Sequence, residues 1–196
     1  MIKIQTTEPA PPREKVIATA LKLFTHKGYF NTSMRDITAE SAVSTGSVYH
    51  HFKDKEGVAT ALYQGLIARM CDELQQIVDS HESAHDQCRA VVELLFRITR
   101  EEPEVMAFML YVKHREFLPQ QRPICSSEPF EIMRAMVERG MDRGEIERRD
   151  VLAASSCLFG GAIRIVTSQL DGVLEHPLAY YLDDVWTCSW RGVAAG

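Results

Sequence analysis

Several motifs that mark catalytic and cofactor sites are missing from this sequence. It has no Walker phosphate-binding loop, no G-x-G-x-x-G dinucleotide motif and no G-x-S-x-G nucleophile turn. Its five cysteines are scattered, odd in number and never spaced as C-x-x-C. A disulfide framework or a structural zinc site is therefore not expected, and reduced, mostly buried thiols are the default interpretation. The sequence predicts a protein that is not an enzyme and needs no cofactor or metal.

Long apolar runs are also missing. The longest apolar region, residues 151–166, contains Ser155, Ser156 and Arg164 and is too short to cross a bilayer. The N-terminal segment MIKIQTTEPAPP has no apolar core of the kind found in a secretory leader. The hydrophobic content of 45% and the charged content of 25% are ordinary for globular proteins. We therefore expect a soluble, cytoplasmic protein with no membrane partner.

Positive charge is scarce overall but concentrated at one end of the chain. The net charge is −5, yet residues 1–55 carry eight Lys or Arg against five Asp or Glu. Residues 56–196 carry fourteen Lys or Arg against twenty-two Asp or Glu. A polyanion such as nucleic acid would therefore be attracted to the N-terminal part. The acidic remainder argues against a wholly basic protein that coats nucleic acid without specificity.

Apolar residues recur three and four positions apart along most of the chain, which predicts an all-α protein of about nine helices. After a disordered arm at 1–11, residues 12–57 form a three-helix domain and residues 58–196 a helical bundle. Besides two short helices within 33–52, the expected helices cover 12–27, 55–79, 84–100, 103–115, 129–142, 150–171 and 177–191, with a proline-rich loop at 117–129. The helix at 55–79 is long enough to link both domains mechanically.

The stretch at 33–52 predicts two short helices joined by a tight turn. The apolar face of the first comes from Met34, Ile37 and Ala42, and that of the second from Val48 and Phe52. Ser44 is a natural N-cap for the second helix, and Val43 can fill the angle between the two. A helix of about two turns is unstable alone, so it must pack across its neighbour as a helix-turn-helix unit.

The outward face of the second helix has the chemistry of a DNA-reading surface. The outward set is Thr45, Gly46, Ser47, Tyr49, His50 and His51. None is acidic, and small hydrogen-bonding residues at the start of a helix suit the major groove, where a recognition helix reaches base edges. His51 can instead lie half-buried against the helix at 12–27. An ordinary surface helical hairpin is the alternative that this window alone leaves open.

Ordered matches across residues 12–60 make the interpretation more specific. The matching pieces are A-x-x-L-F at 20–24, G-Y at 28–29, T-S-M-R-D-I-T at 32–38, V-S-T-G-S-V-Y-H-H-F at 43–52 and K-D-K-E at 53–56. This part resembles the DNA-binding domain of the TetR family of bacterial transcriptional regulators. The remaining residues, 61–196, resemble the family only in length and helical character. The resemblance implies a DNA-binding domain followed by a helical domain for ligand binding and dimerisation.

Several residues around the reading helix are candidates for contacts with the DNA backbone. Thr32 or Ser33 can cap the first helix of the unit, where free N–H groups form an anion site that suits a phosphate. Arg35 in the same turn can reach the backbone or pair with a nearby acid such as Asp36. Lys53 and Lys55 follow the second helix and can meet phosphates, and the resemblance implies that Lys55 clamps one. The predicted DNA contacts are Thr32, Ser33, Arg35, Thr45, Gly46, Ser47, Tyr49, His50, His51 and Lys55.

The helices at 84–142 are rich in methionine and aromatic side chains, which can line an adaptable cavity or form an ordinary core. The resemblance favours a cavity, because members of the family bind a small effector between these helices. The candidate lining residues are Phe96, Met106, Phe108, Met109, Tyr111, Phe117, Met133, Met136 and Arg164. Arg164 can meet a ligand carboxylate, or it can pair with Asp171 or with an acid of a second subunit. His114 is expected to be a solvated residue at a helix end.

The last two helices predict a subunit interface. Both are apolar, and the first contains adjacent glycines, which weaken a helix unless another helix approaches closely. Two such helices from each chain can form a four-helix bundle between protomers, or both can complete the core of one chain. The candidate interface residues are Leu158, Gly160, Gly161, Val166, Leu182, Val185 and Trp186.

Together these features predict a homodimeric, sequence-specific DNA-binding regulator. The simplest form is a repressor that a small-molecule effector releases from a near-palindromic double-stranded operator. Two recognition helices would enter successive major grooves about 34 Å apart. The alternative is a helical regulator that acts through protein partners, or a small-molecule binding protein that does not bind DNA.

Overall fold

The computed structural model describes residues 10–122 and 124–196, apart from the side chain of Cys125. Within these ranges the chain forms nine α-helices and no strand beyond an isolated bridge between Ile146 and Ala194. The helices are α1 (Pro12–His26), α2 (Met34–Ser41), α3 (Thr45–Phe52), α4 (Lys55–Ser80), α5 (Ala84–Glu101), α6 (Pro103–Tyr111), α7 (Glu128–Asp142), α8 (Val151–Leu170) and α9 (Leu182–Arg191). The predicted all-α class and helix number are confirmed. Of the predicted arm, residues 1–9 lie outside the described residues.

Two helix boundaries differ from the predicted ones. The α6 helix ends at Tyr111 rather than near residue 115, because Val112 is extended with φ −77° and ψ 129°. The chain then forms a 3₁₀ turn at His114–Glu116, which brings His114 and Phe117 into the core instead of leaving His114 in solvent. At the other end, a 3₁₀ turn at Leu178–Tyr181 precedes α9, which is therefore shorter than predicted.

The first three helices and the start of α4 share one hydrophobic core, which we call the head. Its buried members include Val16, Ala20, Phe24, Ile37, Val48, Phe52, Val58, Ala59, Leu62 and Tyr63. The same core contains Phe108, Phe117 and Leu118 from the following part of the chain. The domain boundary predicted at residue 57 therefore cuts through this core, since the first two turns of α4 belong to it.

The rest of α4 and α5–α9 form a second core, which we call the body. Its central element is α5, in which ten of 18 residues are buried. This helix packs against α4, α6, α7, α8 and α9. The α4 helix enters both cores, with Leu62 buried in the head and Leu74 buried in the body. The α4 helix therefore connects the two cores, and its role as a mechanical link stays a prediction.

The α8 helix is long and apolar enough to cross a membrane by length and composition, with a mean hydropathy of 1.5 over its best window. The expectation that this region is too short is therefore wrong, because the helix continues past residue 166 to Leu170. Length and composition are weak evidence for a membrane span, because the core helix of a soluble protein also passes this test. In this chain α8 packs against α5, α7 and α9.

Candidate nucleic-acid interface

The α3 helix has a buried inner face and an open outer face. Ser44 caps it, and its hydroxyl accepts a hydrogen bond from the N–H of Ser47 at 3.3 Å. Val48 and Phe52 are 0% and 5% exposed, so packing fixes which face turns outward. The residues on the outer side are Thr45, Gly46, Tyr49, His50 and His51, which are exposed, and Ser47, which is half-buried. The exposed position of His51 differs from the half-buried alternative.

The turn between α2 and α3 sets the angle of the reading helix. Ala42 adopts the left-handed conformation with φ 54°, which is uncommon for a residue with a Cβ atom. Val43 follows and is only 9% exposed. It fills the space between the two helices in the way that its position in the sequence predicts. The two helices and the buried valine form the predicted helix-turn-helix unit.

The N-terminus of α2 carries a complete capping box. The carboxylate of Asp36 accepts from the backbone N–H of Ser33 at 2.8 Å, while the Ser33 hydroxyl accepts from the N–H of Asp36 at 3.1 Å. The hydrogen bond from the Ser33 backbone, assisted by Lys27 at 2.9 Å, lowers the pKa of Asp36 to about 2. The capping box thus uses the N–H groups of Ser33 and Asp36, and the phosphate contact expected at this helix end stays a prediction. Ser33 itself remains exposed.

Thr32 does not belong to the DNA-facing surface, which corrects the prediction. The residue is 1% exposed, and its hydroxyl donates to the carbonyl of Gly28 at 2.8 Å. The cap of α2 is Ser33 alone. Thr32 is buried because its hydroxyl satisfies a backbone carbonyl that the loop after α1 would otherwise leave without a partner.

Lys55 points back into the head. Its ammonium group donates to the carbonyl oxygens of Tyr29 at 2.9 Å and Thr32 at 2.8 Å, and it lies 4.2 Å from the centroid of the Tyr29 ring. Burial lowers the pKa of this lysine. Two of its three N–H donors are therefore used to hold the loop between α1 and α2. The side chain is not the freely extended clamp that the resemblance implied, and its phosphate contact stays a prediction.

Other basic side chains surround α3. Arg35 is exposed and makes no ion pair among the described residues, since its neighbour Asp36 is paired with Lys27. Two further exposed cations lie close to α3: Arg13, which was missing from the predicted contacts, and Lys53, which was expected to be able to meet a phosphate. Arg13 lies 5.8 Å from the Phe52 ring centroid, and Lys53 directly follows α3. Their position in the sequence, in the first turn of α1 and after the recognition helix, was the available signal.

One pattern in the sequence resembles a metalloprotease motif, because His81, Glu82 and His85 follow H-E-x-x-H. That motif binds zinc only when both histidines project from one helix face. Here His81 follows the last residue of α4, whereas His85 lies in α5 and its ring accepts a hydrogen bond from Trp186 at 3.2 Å. No cluster of three metal-ligating side chains occurs in the part of the chain that the structure describes. The pattern therefore does not form a zinc site.

An apolar cavity of about 70 Å³ lies inside the body, between α4, α5, α6, α7 and α8. Its lining includes Leu66, Met70, Leu95, Met106, Met109, Phe130, Met133 and Ile163. Three residues of the predicted pocket, Met106, Met109 and Met133, are among them. A cleft of about 220 Å³ between α7 and α8 shares Phe130, Met133 and Ile163 with this cavity and also contains Arg134.

The other predicted pocket residues lie elsewhere. Phe96 and Met136 are core residues of the body, and Phe108 belongs to the core of the head. Tyr111 and Phe117 line a separate groove at the surface. Arg164 is exposed and lines none of these spaces. The helical period could not show which of these apolar residues line a cavity, because residues of the core, the cavity and the groove all have the same spacing along a helix.

The predicted interface residues divide between the core and the surface. Leu158, Val166 and Trp186 are 0%, 0% and 3% exposed within one chain, so they complete the body core and are not available to a partner. This corrects the prediction for these three residues. Of the remaining four, Gly160 and Gly161 are exposed, and Leu182 and Val185 are half-buried.

The two adjacent glycines of α8 differ in their surroundings. A Cβ atom at Gly161 would lie 3.4 Å from the hydroxyl of Ser189 and 3.6 Å from a methyl group of Val185, whereas one at Gly160 would meet nothing within 4 Å. Gly161 therefore faces α9, but at these distances a Cβ atom would make ordinary van der Waals contacts. Gly160 faces open space, and its role is not explained by packing in a single chain.

Comparison with known proteins identifies the family. The sequence model for bacterial regulatory proteins of the tetR family matches residues 16–62. The transcriptional regulator UidR of Escherichia coli is 30% identical over 138 residues, which cover 62% of this chain and 69% of UidR. This chain belongs to the TetR family. The family assignment agrees with the position of the helix-turn-helix unit in the head.

Further comparisons agree with membership of the TetR family. The repressor KstR2 of Mycolicibacterium smegmatis is 27% identical over 115 residues, which are 58% of this chain and only 56% of KstR2. Among solved structures, a TetR-family protein from Shewanella has a TM-score of 0.76 at 20% identity and covers 95% of this chain and 100% of its own. FadR of Bacillus subtilis, solved with stearoyl-CoA, has a TM-score of 0.76 at 18% identity, covering 91% and 98%. At these identities the two structures show a shared fold.

Proposed function

We propose that this TetR-family chain is a cytoplasmic, sequence-specific transcriptional regulator that binds double-stranded DNA as a homodimer. We further propose that it is a repressor, which a small-molecule effector releases from a near-palindromic operator. The observation that carries the proposal is the outer face of α3, which is exposed, free of acidic residues and held in place by a buried inner face. The proteins UidR and KstR2, which this chain resembles, are a transcriptional regulator and a repressor.

In the proposed complex, α3 lies in the major groove with its N-terminal end toward the bases. Thr45, Gly46, Ser47 and Tyr49 contact base edges or the nearest phosphates. The residues assigned to the phosphate backbone are Ser33, Arg35, His50, His51, Lys53 and Lys55. For Lys55 this contact uses its third N–H, because the other two are bonded within the head. Backbone contacts position the protein, whereas base contacts supply the specificity.

Two heads must be held at a fixed spacing to read a near-palindromic site, and the exposed faces of α8 and α9 are the proposed dimer contact. Gly160 on α8 is exposed with nothing within 4 Å of a Cβ atom, so a partner helix could approach closely there. Substitution Gly160→Arg should convert the dimer to a monomer in light scattering. The matched change Gly65→Arg, at an exposed and equally open position on α4, should leave the dimer intact.

The apolar cavity in the body is the proposed effector site. Its lining side chains are all hydrophobic and include several methionines, which adapt to ligands of different shape. A cavity of this lining favours an apolar effector or the apolar part of a larger one. The complex of FadR with stearoyl-CoA is an example of such a ligand in a protein of the same fold. Enlargement of the cavity by an effector would displace the helices around it.

The path from the cavity to the head follows α4. Leu66 and Met70 of α4 line the cavity, and the intervening Arg69 makes a bidentate ion pair with Glu102 at the start of α6. An effector that separates α4 from α6 must act against this ion pair. Such an effector changes DNA binding only through its different affinity for the two arrangements of α4.

Selection of bound sequences from a random DNA pool tests the central proposal. We expect an enriched near-palindrome with half-sites one helical turn apart, and an affinity that falls steeply as salt concentration rises. A protein that regulates through protein partners, or only binds a small molecule, should enrich no sequence and bind random duplex weakly at low salt. That result would contradict the proposed function.

A further inference from the structure

A groove of about 340 Å³ lies between the head and the body, and we call it the seam groove. The end of α1 and the loop at 28–31 form its head side, and the opposite side consists of part of α6, from the body, and the turn that follows α6, whose Phe117 belongs to the core of the head. It shares no lining residue with α3 or with the apolar cavity. Its volume falls at the lower end of the range for small-molecule sites in proteins.

Exposed aromatic side chains are concentrated in the seam groove. Phe30 is 66% exposed and Tyr111 is 47% exposed, and both are among the few large hydrophobic residues on the described surface. Phe30 comes from the head and Tyr111 from the body. A single exposed aromatic residue is ordinary, but two in one concave place make a surface that an apolar molecule would cover.

The geometry of the rings favours a flat ligand. Tyr29 stacks on Phe117 with centroids 4.0 Å apart and planes 12° apart. Phe30 stands nearly perpendicular to both rings, at 86° and 89°. Phe117 stacks on the Tyr29 ring and the Lys55 ammonium lies over it, so the freely accessible ring of this cluster is Phe30. An aromatic molecule in the groove can pair with that ring in an offset or edge-to-face arrangement. The Tyr111 ring is fixed because its hydroxyl donates to Asp171 at 2.7 Å.

The polar groups of the seam groove favour a neutral ligand with one hydrogen-bond donor. Lys113 and Glu116 lie 3.6 Å apart at the groove and neutralise each other, so neither charge selects an ion. Asn31 lines the groove, and its side-chain nitrogen donates to the carbonyl of Lys27 at 3.1 Å, while its amide oxygen accepts no hydrogen bond among the described residues. An N–H or O–H group on the ligand would match that acceptor.

We propose that the seam groove is a second small-molecule site, distinct from the apolar cavity, for a neutral aromatic compound of one or two rings with an N–H or O–H donor. Indole represents this chemical class. The ligand contacts both the head and the body, so its binding energy depends on how the two are arranged. The carbonyl of Tyr29 is also bonded to Lys55 at the start of α4. A ligand in the groove therefore contacts the same loop that supports the helix-turn-helix unit.

Titration of the full chain with 5-fluoroindole, followed by ¹⁹F NMR, tests this site without DNA. We expect a saturable change in the ligand resonance with the wild-type protein. Phe30→Ser should weaken binding at least tenfold, because it removes an exposed ring of the wall. The matched control is Val173→Ser, at a residue that is 65% exposed and outside the groove, and it should bind as the wild type does.

Two further variants separate the groove from the apolar cavity. Ala107→Leu fills the seam groove and should also weaken binding, whereas Ile163→Phe narrows the apolar cavity and should not. The proposal is overturned if the wild type shows no saturable binding or if Phe30→Ser and Ala107→Leu bind as the wild type does. It is also overturned if only Ile163→Phe weakens binding. None of these outcomes depends on operator recognition, so the proposed function is tested separately.

Discussion

The ammonium group of Lys55, at the start of α4, donates a hydrogen bond to the carbonyl oxygen of Thr32, in the loop before α2, at 2.8 Å. We expect Lys55→Met to destabilise the protein by about 1–2 kcal/mol, because charged hydrogen bonds of a half-buried lysine are lost. DNA affinity should fall for all sequences alike, since the loop under the helix-turn-helix unit loosens. Denaturant unfolding and binding to specific and random duplexes measure the two effects.

Lys53 provides the matched comparison. Its side chain is exposed next to α3 and makes no hydrogen bond with any other described residue. Lys53→Met should change stability by less than about 0.5 kcal/mol. It should lower the slope of log affinity against log salt by about one, as expected for one lost phosphate contact. Equal destabilisation by both substitutions would contradict the structural role assigned to Lys55.

Tyr49 is 48% exposed in the middle of α3, where a large side chain would contact the operator. Tyr49→Ala should weaken operator binding by roughly 10- to 100-fold, which corresponds to about 1–3 kcal/mol for a base-reading contact. Light scattering should show an unchanged dimer. Tyr180→Ala, at a tyrosine that is 63% exposed and far along the sequence, should bind the operator normally. Full affinity of Tyr49→Ala would count against the groove assignment.

Substitutions at two helical glycines with open surroundings can distinguish an effect on stability from an effect on DNA recognition. A Cβ atom at Gly46 in α3 or at Gly65 in α4 would meet nothing within 4 Å. Alanine at either position should therefore stabilise the protein by about 0.5–1 kcal/mol through helix propensity. Only Gly46→Ala should weaken operator binding, because its methyl group would occupy space between α3 and the bases. Equal operator affinities of the two variants would show that the backbone at Gly46 does not approach DNA closely.

His114 predicts a pH dependence of stability. Its ring is buried against Phe108 and Tyr63, with centroids 4.7 Å and 5.0 Å away, and its Nε2 atom has no hydrogen-bond partner among the described residues. Burial lowers the pKa of His114 to about 4 from a model-peptide value of 6.5. Between these values the unfolded chain binds more protons than the folded one, so stability is lost as the pH falls from 6.5 toward 4.

The substitution His114→Phe tests this dependence because it keeps an aromatic ring and removes the titrating group. The free energy of unfolding, measured from pH 7 to pH 4, should fall less steeply for the variant than for the wild type. The difference in unfolding free energy between the two proteins should be constant above pH 7. Its departure from that constant value should be largest near pH 4. Parallel curves over the whole range would mean that His114 titrates normally in the folded chain.

Most of the helix-turn-helix unit was predictable because its determinants are local, although Ala42, predicted on the apolar face of the first helix, is exposed and follows the end of α2. Ser44 caps α3, and Val48 and Phe52 turn inward at the predicted spacing. Ser33 was one of two candidate caps, and only the structure chose between them, because the choice depends on the partner of the Thr32 hydroxyl in the preceding loop. At the same helix end Asp36 completes a capping box with Ser33, and the phosphate contact expected there stays a prediction.

The longer-range assignments depended on packing that the helical period does not encode. Leu158, Val166 and Trp186 are as apolar as interface residues, yet they face the body core. Phe108 lies in the same helix as Met106 and Met109, but it packs in the head while they line the cavity. A one-dimensional pattern gives the apolar face of a helix, whereas the neighbour that covers this face is decided by the arrangement of all the helices.

The sequence by itself determined the all-α class and the outward chemistry of α3, because capping, turn formation and 3.6-residue periodicity act between residues close in the chain. Its ordered motif matches indicated the family. Only the tertiary structure decided that Lys55 supports the head, that His114 is buried and that Phe30 and Tyr111 meet at the seam groove. The Thr32–Lys55, Tyr63–His114 and Phe30–Tyr111 pairs lie 23, 51 and 81 positions apart in the chain. They arise because the burial of α4 and α6 against the head places their side chains beside a loop that no local rule connects to them.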